Sequence, residues 1–143
     1  MGLLFETHDG LLAKLEPVFK RRGLSGLDLN ALMRLSRSPG KRLRMSDLAT
    51  QTSLSTSGVT RLVDRLQRNG LADRDTSRGD RRSTYAVLTT GGAARLSEVL
   101  PEYLAVIEEW FTGLLEPAQL DALLAALRIL RDAVNPDATA RTG

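Results

Sequence analysis

Between Ser55 and Gly70 the chain carries the pattern that most constrains its fold. Val59, Leu62, Val63 and Leu66 fall at i, i+3, i+4 and i+7, one apolar stripe along an α-helix. Thr56, Ser57, Thr60, Arg61, Asp64, Arg65 and Arg68 fill the remaining faces. Ser55 stands where a side-chain oxygen can accept a first-turn N–H, and Asn69-Gly70 stops the helix. A helix with so narrow an apolar face must lay that stripe on a core and leave its other sides in water.

The segments on either side narrow the choice. Upstream, Met45, Leu48 and Ala49 mark a brief helix that Ser46 can cap, and Gln51-Thr52-Ser53-Leu54 breaks it. Downstream, Leu71 to Asp75 and Thr84 to Leu88 read as two strands. The polar, arginine-bearing loop between them makes a β-hairpin with a basic tip. Two short helices joined by a tight turn, followed at once by such a hairpin, describe a winged helix-turn-helix.

The rest of the chain is helical in pattern. Leu4, Leu11, Leu12, Leu15, Val18 and Phe19 predict a first helix over roughly residues 3 to 21, with Pro17 inside it as a source of bending or shortening. Gly23 ends it, and Ser25-Gly26-Leu27-Asp28 has the spacing of a capping box that opens a second helix before Pro39-Gly40. Lys41 to Arg44 reads as a short extended link. Thr89-Thr90 caps a long helix reaching about Leu114, in which Pro101 predicts a kink because the apolar pattern resumes in phase. Pro117 starts a last helix with a continuous apolar face of Leu120, Leu123, Leu124, Leu127, Leu130 and Val134. The polar tail beyond it is expected to be disordered. The fold class is thus mainly α, with a two-stranded hairpin wing and flanking terminal helices.

Charge follows the same division. The formal net charge of the 143 residues is +3, but Arg34 to Arg82 holds twelve basic residues against five acidic ones, a local +7. The remaining residues carry eight basic and twelve acidic side chains, or −4. A basic middle between acidic flanks suits a polyanion-binding module held in place by something else. Arginine outnumbers lysine seventeen to three throughout, so composition alone leaves room for a merely arginine-rich chain.

Several functions are excluded by what is missing. There is no cysteine, hence no disulfide, thiolate metal site, cysteine nucleophile or thiol peroxide sensor. One histidine, His8, leaves no imidazole cluster for a metal. No nucleophile–base constellation or phosphate-cradling glycine loop is present, and Gly91-Gly92 reads as a helix start. Neither an enzyme nor a bound cofactor is expected. No apolar run approaches the ~18 residues of a membrane span, and Glu6 and Asp9 argue against a secretory signal. A soluble, cytoplasmic protein without membrane contact is the expectation.

The helix at 55–68 is then the element expected to enter the major groove of double-stranded DNA. Ser55, Thr56, Ser57 and Thr60 can meet phosphates at close range, and the helix N-terminus favours an anion. Arg61 and Arg65 reach phosphates or a guanine edge, while Arg81 and Arg82 on the wing follow the backbone or enter the minor groove. Taken singly, such hydroxyls are ordinary caps and such arginines a solvated face. Their succession on consecutive elements, in the order this fold needs, favours DNA.

The stretch Leu54 to Leu71, then Arg74, then Asp80 to Thr89 with Gly92, strongly resembles the MarR family of bacterial transcriptional regulators. Arg44 to Ala49 is similar to the family's first helix of the pair, so the motif block covers about residues 40 to 92. The resemblance implies a homodimer, with residues 1–24 and 90–135 as its helical dimerisation region. It implies a DNA-binding winged helix-turn-helix over 25–89 and leaves 136–143 as a disordered tail. Leu4, Leu11, Trp110, Phe111, Leu123, Leu127 and Leu130 are the expected dimer contacts, with intramolecular core as the alternative at each. A two-fold dimer would present its recognition helices one DNA turn apart and read an inverted repeat. Asp80 matches the wing aspartate that organises the family's arginines, with Arg74 as its expected partner; the alternative is that Asp80 only favours the turn after Gly79.

Many family members release DNA when a small, often aromatic or phenolic, anion binds between the platform and the winged module. Phe5, His8, Phe19, Met33 and Tyr103 are the residues that could line such a crevice. The implied function is a sequence-specific dimeric regulator, a repressor relieved by a small ligand. The competing readings are an effector-independent, low-specificity nucleoid-type binder, and an adaptor whose basic patch meets an acidic protein.

Overall fold

A computed structural model describes residues 1–76 and 83–139. In order they form α1 (Gly2–Arg22), α2 (Gly26–Arg37), β1 (Arg42–Arg44), α3 (Met45–Gln51), α4 (Thr56–Arg68), β2 (Ala72–Thr76), β3 (Thr84–Leu88), α5 (Thr90–Trp110) and α6 (Pro117–Val134). Short 3-10 turns lie at Pro39–Lys41, Thr112–Leu114 and Pro136–Thr139. The architecture is mainly helical, a winged helix-turn-helix flanked by longer terminal helices.

The caps explain most boundaries. Gly23 ends α1 in the left-handed region, φ 63°, where a glycine has no Cβ to clash. Ser25 and Asp28 form the capping box of α2: Asp28 N–H donates to Ser25 Oγ at 3.0 Å, and Ser25 N–H donates to Asp28 Oδ2 at 2.8 Å. Ser55 Oγ accepts from Gly58 N–H at 3.1 Å to open α4, and Thr89 Oγ1 accepts from Gly92 N–H at 2.9 Å to open α5. Both interior prolines, Pro17 and Pro101, are accommodated within continuous helices. The long helix ends at Trp110 rather than Leu114, and its last turn passes into the 3-10 turn that follows.

The sheet has three strands, not two. Its order is β1-β3-β2, all antiparallel, with Leu43 opposite Ala86 and Arg74 opposite Ala86 on the other side. The expected extended link is therefore an edge strand. A second difference follows from it: α3 begins at Met45, straight off β1, and Ser46 does not cap it. A third lies at the other end of the chain, where Pro136–Thr139 form a 3-10 turn inside the segment expected to be a disordered tail.

The core joins α2, α3, α4 and the inner face of the sheet. Leu32, Leu35, Leu48, Val63, Leu66 and Ala86 are fully buried in it. Val18 from α1 and Val99 from α5 close its far side. Helix α6 contributes nothing to this core: among the described residues it has no buried side chain. Its leucines Leu120, Leu123, Leu124 and Leu127 are only half-buried, and Ile129, Leu130 and Val134 are exposed.

Candidate nucleic-acid interface

Helices α3 and α4 meet through the turn Thr52-Ser53-Leu54. Thr52 N–H donates to Leu48 O at 3.0 Å, and Leu54 N–H donates to Ala49 O at 2.9 Å. Ser53 takes φ 56°, the left-handed step that turns the chain between them. Val59, Leu62, Val63 and Leu66 are buried, so α4 is held by its stripe, and its opposite edge faces outward.

That outward edge carries Ser55, Thr56, Ser57, Thr60 and Arg61, all exposed. The hydroxyls are partly occupied. Ser55 Oγ caps Gly58 and lies 3.2 Å from Ser57 Oγ, while Thr60 Oγ1 donates to Thr56 O at 2.9 Å. Each oxygen keeps a lone pair or proton for a further partner. Arg61 has no hydrogen bond or ion pair with any described residue. Among the described residues it is an unpaired, exposed guanidinium on this edge.

Arg65, expected beside Arg61 as a DNA contact, sits differently. Its Nε and Nη2 donate to Asp28 Oδ1 at 3.0 and 2.5 Å, and Asp28 is buried at 4% exposure. Arg65 thereby ties the last turns of α4 to the first turn of α2. Arg74 is likewise committed: Nη1 donates to Asp64 Oδ1 at 2.6 Å and to Gln67 Oε1 at 3.2 Å, and Nη2 reaches Thr60 O at 3.3 Å. The described partner of Arg74 is thus the recognition helix itself. Asp80, Arg81 and Arg82, expected to organise and arm the wing, lie outside the described residues.

Two further contacts escaped the sequence pattern. Arg42 stacks on the Tyr85 ring, 3.9 Å from its centroid, and donates to Asp75 at 2.9 Å, joining all three strands. On α2, Arg34 Nε donates to Asn30 Oδ1 at 2.9 Å, while Nη1 reaches Gln51 Oε1 and Ala138 O. Burial, then the nearby Arg37 charge, lower its pKa from the ordinary arginine value. The local +7 is therefore not one free basic surface, because Arg34, Arg42, Arg65 and Arg74 brace the fold. No periodicity could have separated them from Arg61, since apart from Asn30 beside Arg34 their partners lie on other elements.

Between α4 and the base of the wing lies a cleft of about 560 Å³ lined by Arg44, Met45, Thr56, Thr60, Asp64 and Arg74. The residues expected to line an effector crevice are not brought together as a set. Phe19 lies on a groove of about 620 Å³ between α1 and α2, with Leu12, Glu16, Leu27 and Asn30. Met33 and Tyr103 pack against the core, whereas Phe5 and His8 are exposed on the first turns of α1. The expected dimer contacts are uncovered to different degrees. Leu4, Trp110 and Leu130 are exposed, with Lys14 Nζ lying 3.7 Å over the Trp110 ring; Leu11, Phe111, Leu123 and Leu127 are half-buried.

Comparison with known proteins gives a consistent answer. Residues 22–83 match a family model described as "MarR family". The chain is 33% identical over 104 residues to the HTH-type transcriptional repressor YetL of Bacillus subtilis, 73% of this chain and 62% of that protein. The match thus spans less than two thirds of that relative's length. Among solved structures it is similar to AbsC, a MarR family transcriptional regulator from Streptomyces coelicolor, at 34% identity and a TM-score of 0.87, covering 92% of this chain and 89% of that one. It is also similar to Sco3205 from the same organism, a MarR family regulator solved in complex with DNA. There the identity is 28% and the TM-score 0.87, covering 93% of this chain and 84% of that one.

Proposed function

The chain belongs to the MarR family of transcriptional regulators, and from that membership we propose that it binds duplex DNA as a homodimer and represses transcription from an inverted repeat. The observation that carries this reading is α4. Its stripe is buried in the core, and its Ser55/Thr56/Ser57/Thr60/Arg61 edge is turned outward with Arg61 free to meet a phosphate or a guanine. Arg81 and Arg82 supply the wing contact in this reading, with Asp80 organising them. Arg65 serves by holding α4 in place.

Dimerisation is the economical use of α6. An 18-residue helix whose leucines are half-buried or exposed loses its remaining apolar exposure against a second copy, and Leu4 and Trp110 are further exposed apolar side chains on the other terminal helices. A two-fold pair of this kind sets its recognition helices roughly 34 Å apart, the repeat of B-DNA. Relief of repression falls to a small aromatic or phenolic anion in the groove where Phe19 faces α2.

The test is fluorescence anisotropy with duplexes from the DNA upstream of the chain's own gene, against a scrambled duplex, across a salt series. One preferred inverted repeat, with affinity falling steeply as salt rises, is expected. Equal affinity for both duplexes would make this a nucleoid-type binder, and no binding at low salt would point to a protein partner. A panel of aromatic acids added to the complex tests the effector.

A further inference from the structure

The last described residues return to the helix-turn-helix. After α6, Asn135 N–H donates to Arg131 O at 2.7 Å and Ala138 N–H donates to Asn135 O at 3.1 Å, so the 3-10 turn Pro136–Thr139 continues directly from the helix. This turn packs on α3. Arg34 Nη1 donates to Ala138 O at 3.0 Å, and the same guanidinium holds Asn30 on α2 and Gln51 at the end of α3. Asn135 Nδ2 donates to Ser53 Oγ at 3.4 Å, the residue whose left-handed backbone makes the turn between α3 and α4. A cation facing the carbonyl end of a helix and its terminal turn is electrostatically favoured. No described side chain of α6 is fully buried, and this contact joins its C-terminal end to its own winged module.

We propose that residues 135–139 form a latch between α6 and the helix-turn-helix, with Arg34 as its positioning residue, and that the latch sets where each recognition helix stands relative to the dimer platform. The proposal rests on the dimeric DNA-binding function above. Two linked modules gain affinity for a two-half-site target only while their geometry matches the target's spacing. A loosened module should therefore keep its grip on one half-site and lose its advantage on two. Arg34 belongs by charge to the basic stretch but acts here as a brace, not as a phosphate contact.

The experiment compares the full chain, a chain ending at Val134, Arg34→Met and Arg34→Lys. Among the described residues the truncation removes none of the core, so it keeps the question open to decision if an Arg34 variant fails to fold. Light scattering confirms that each remains a dimer. The duplex is the one the full chain selects from a randomised pool, with its isolated half-site as the comparison. Truncation and Arg34→Met should each weaken the two-half-site duplex about tenfold and the half-site less than about twofold. Combining the two changes should add nothing further. The salt slope should stay the same, whereas loss of a phosphate contact would lower it by about one. Independently of DNA, amide exchange at Thr52, Ser53 and Leu54 should quicken on truncation.

Either unchanged exchange at those amides or unchanged preference for the two-half-site duplex overturns the proposal. So does a reduced salt slope in Arg34→Met. If the full chain selects no duplex, the regulator reading and the spacing role both fall, and exchange still decides whether the latch exists.

Discussion

Arg65 and Asp28 are thirty-seven positions apart, yet both Nε and Nη2 of the arginine donate to one oxygen of that carboxylate, at 3.0 and 2.5 Å. The other carboxylate oxygen accepts Ser25 N–H at 2.8 Å and so completes the cap of α2. One buried side chain therefore starts α2 and holds α4. This separates Arg65 from Arg61, one turn earlier on the same helix, and the difference is measurable. Arg61→Ala should weaken DNA binding and reduce its salt slope by about one, and a guanine contact would cost about 1–3 kcal/mol of specificity. Arg65→Ala should weaken binding while leaving that slope unchanged. Salt titrations of both variants check this.

Asp28→Ala removes the reciprocal half of the capping box and the ion pair together, while Ser25 Oγ still accepts the residue-28 N–H. Loss of the Ser25 N–H bond to its carboxylate costs about 1 kcal/mol. The pair adds a similar amount, held down because the Arg65 side chain is 40% exposed. A destabilisation of about 2 kcal/mol is expected in urea unfolding. Asp28→Asn, which can still accept a backbone N–H, should recover the cap's share and no more.

Glu102 on α5 accepts hydrogen bonds from Arg22 and from Arg21, the latter at 3.1 Å, and so closes α1 onto α5. These bonds lower its pKa from the ordinary 4.5. A carboxylate with a depressed folded-state pKa stabilises the fold above its unfolded value, and that contribution disappears as pH falls through the folded value. The wild type should lose stability as it is acidified from about pH 5 downward. Glu102→Gln should already lack this contribution at pH 7 and show a smaller acid loss. Urea midpoints at pH 7 and in the acid range give the comparison.

Gly92 sits where α5 starts against the turn between α4 and β2. A Cβ there would lie 1.9 Å from Leu71 O and 2.7 Å from Leu88 Cδ1. The first is backbone and cannot swing aside. Gly92→Ala must push α5 away from β2 and β3, at a cost of about 3 kcal/mol or more. A thermal melt should show this directly, as a lower midpoint.

How much of this was legible from the residues alone depended on whether a partner lies nearby in sequence. The α4 stripe is periodic and every one of its four members is buried, so helix, core face and outward edge all followed from spacing. The caps at Ser25, Ser55 and Thr89 act over three residues and were equally readable. Strand β1 was not, because three residues show no alternation and its pairing with Val87, Ala86 and Tyr85 is long-range. The bracing roles of Arg34, Arg65 and Arg74 were hidden for the same reason. A guanidinium facing water and one facing a carboxylate ten or thirty-seven positions away are the same letter. Met33 and Tyr103 follow the apolar spacing of their helices and pack on the core, but no spacing groups them with Phe5 and His8 as one pocket, and the fold scatters the four.

The partly uncovered face of α6 makes the last prediction, on assembly. Leu127 is half-buried beside Leu123 and Leu130, in a helix with no buried residue of its own. In a two-fold interface each substitution acts twice, once in each copy. Fully burying a leucine is worth about 1.5–3 kcal/mol, and Leu127 starts half-buried, so its two copies together lose about 1.5–3 kcal/mol, to which two desolvated carboxylates add more. Leu127→Asp should therefore raise the dimer dissociation constant at least about a hundredfold. Sedimentation velocity at micromolar concentration should find a dimer for the wild type and a folded monomer for the variant. The variant should also lose its preference for an inverted repeat over a half-site, because a single winged module has no second recognition helix to place. A monomeric wild type would instead leave the leucine face of α6 without the partner its exposure demands, and the dimeric reading would fail.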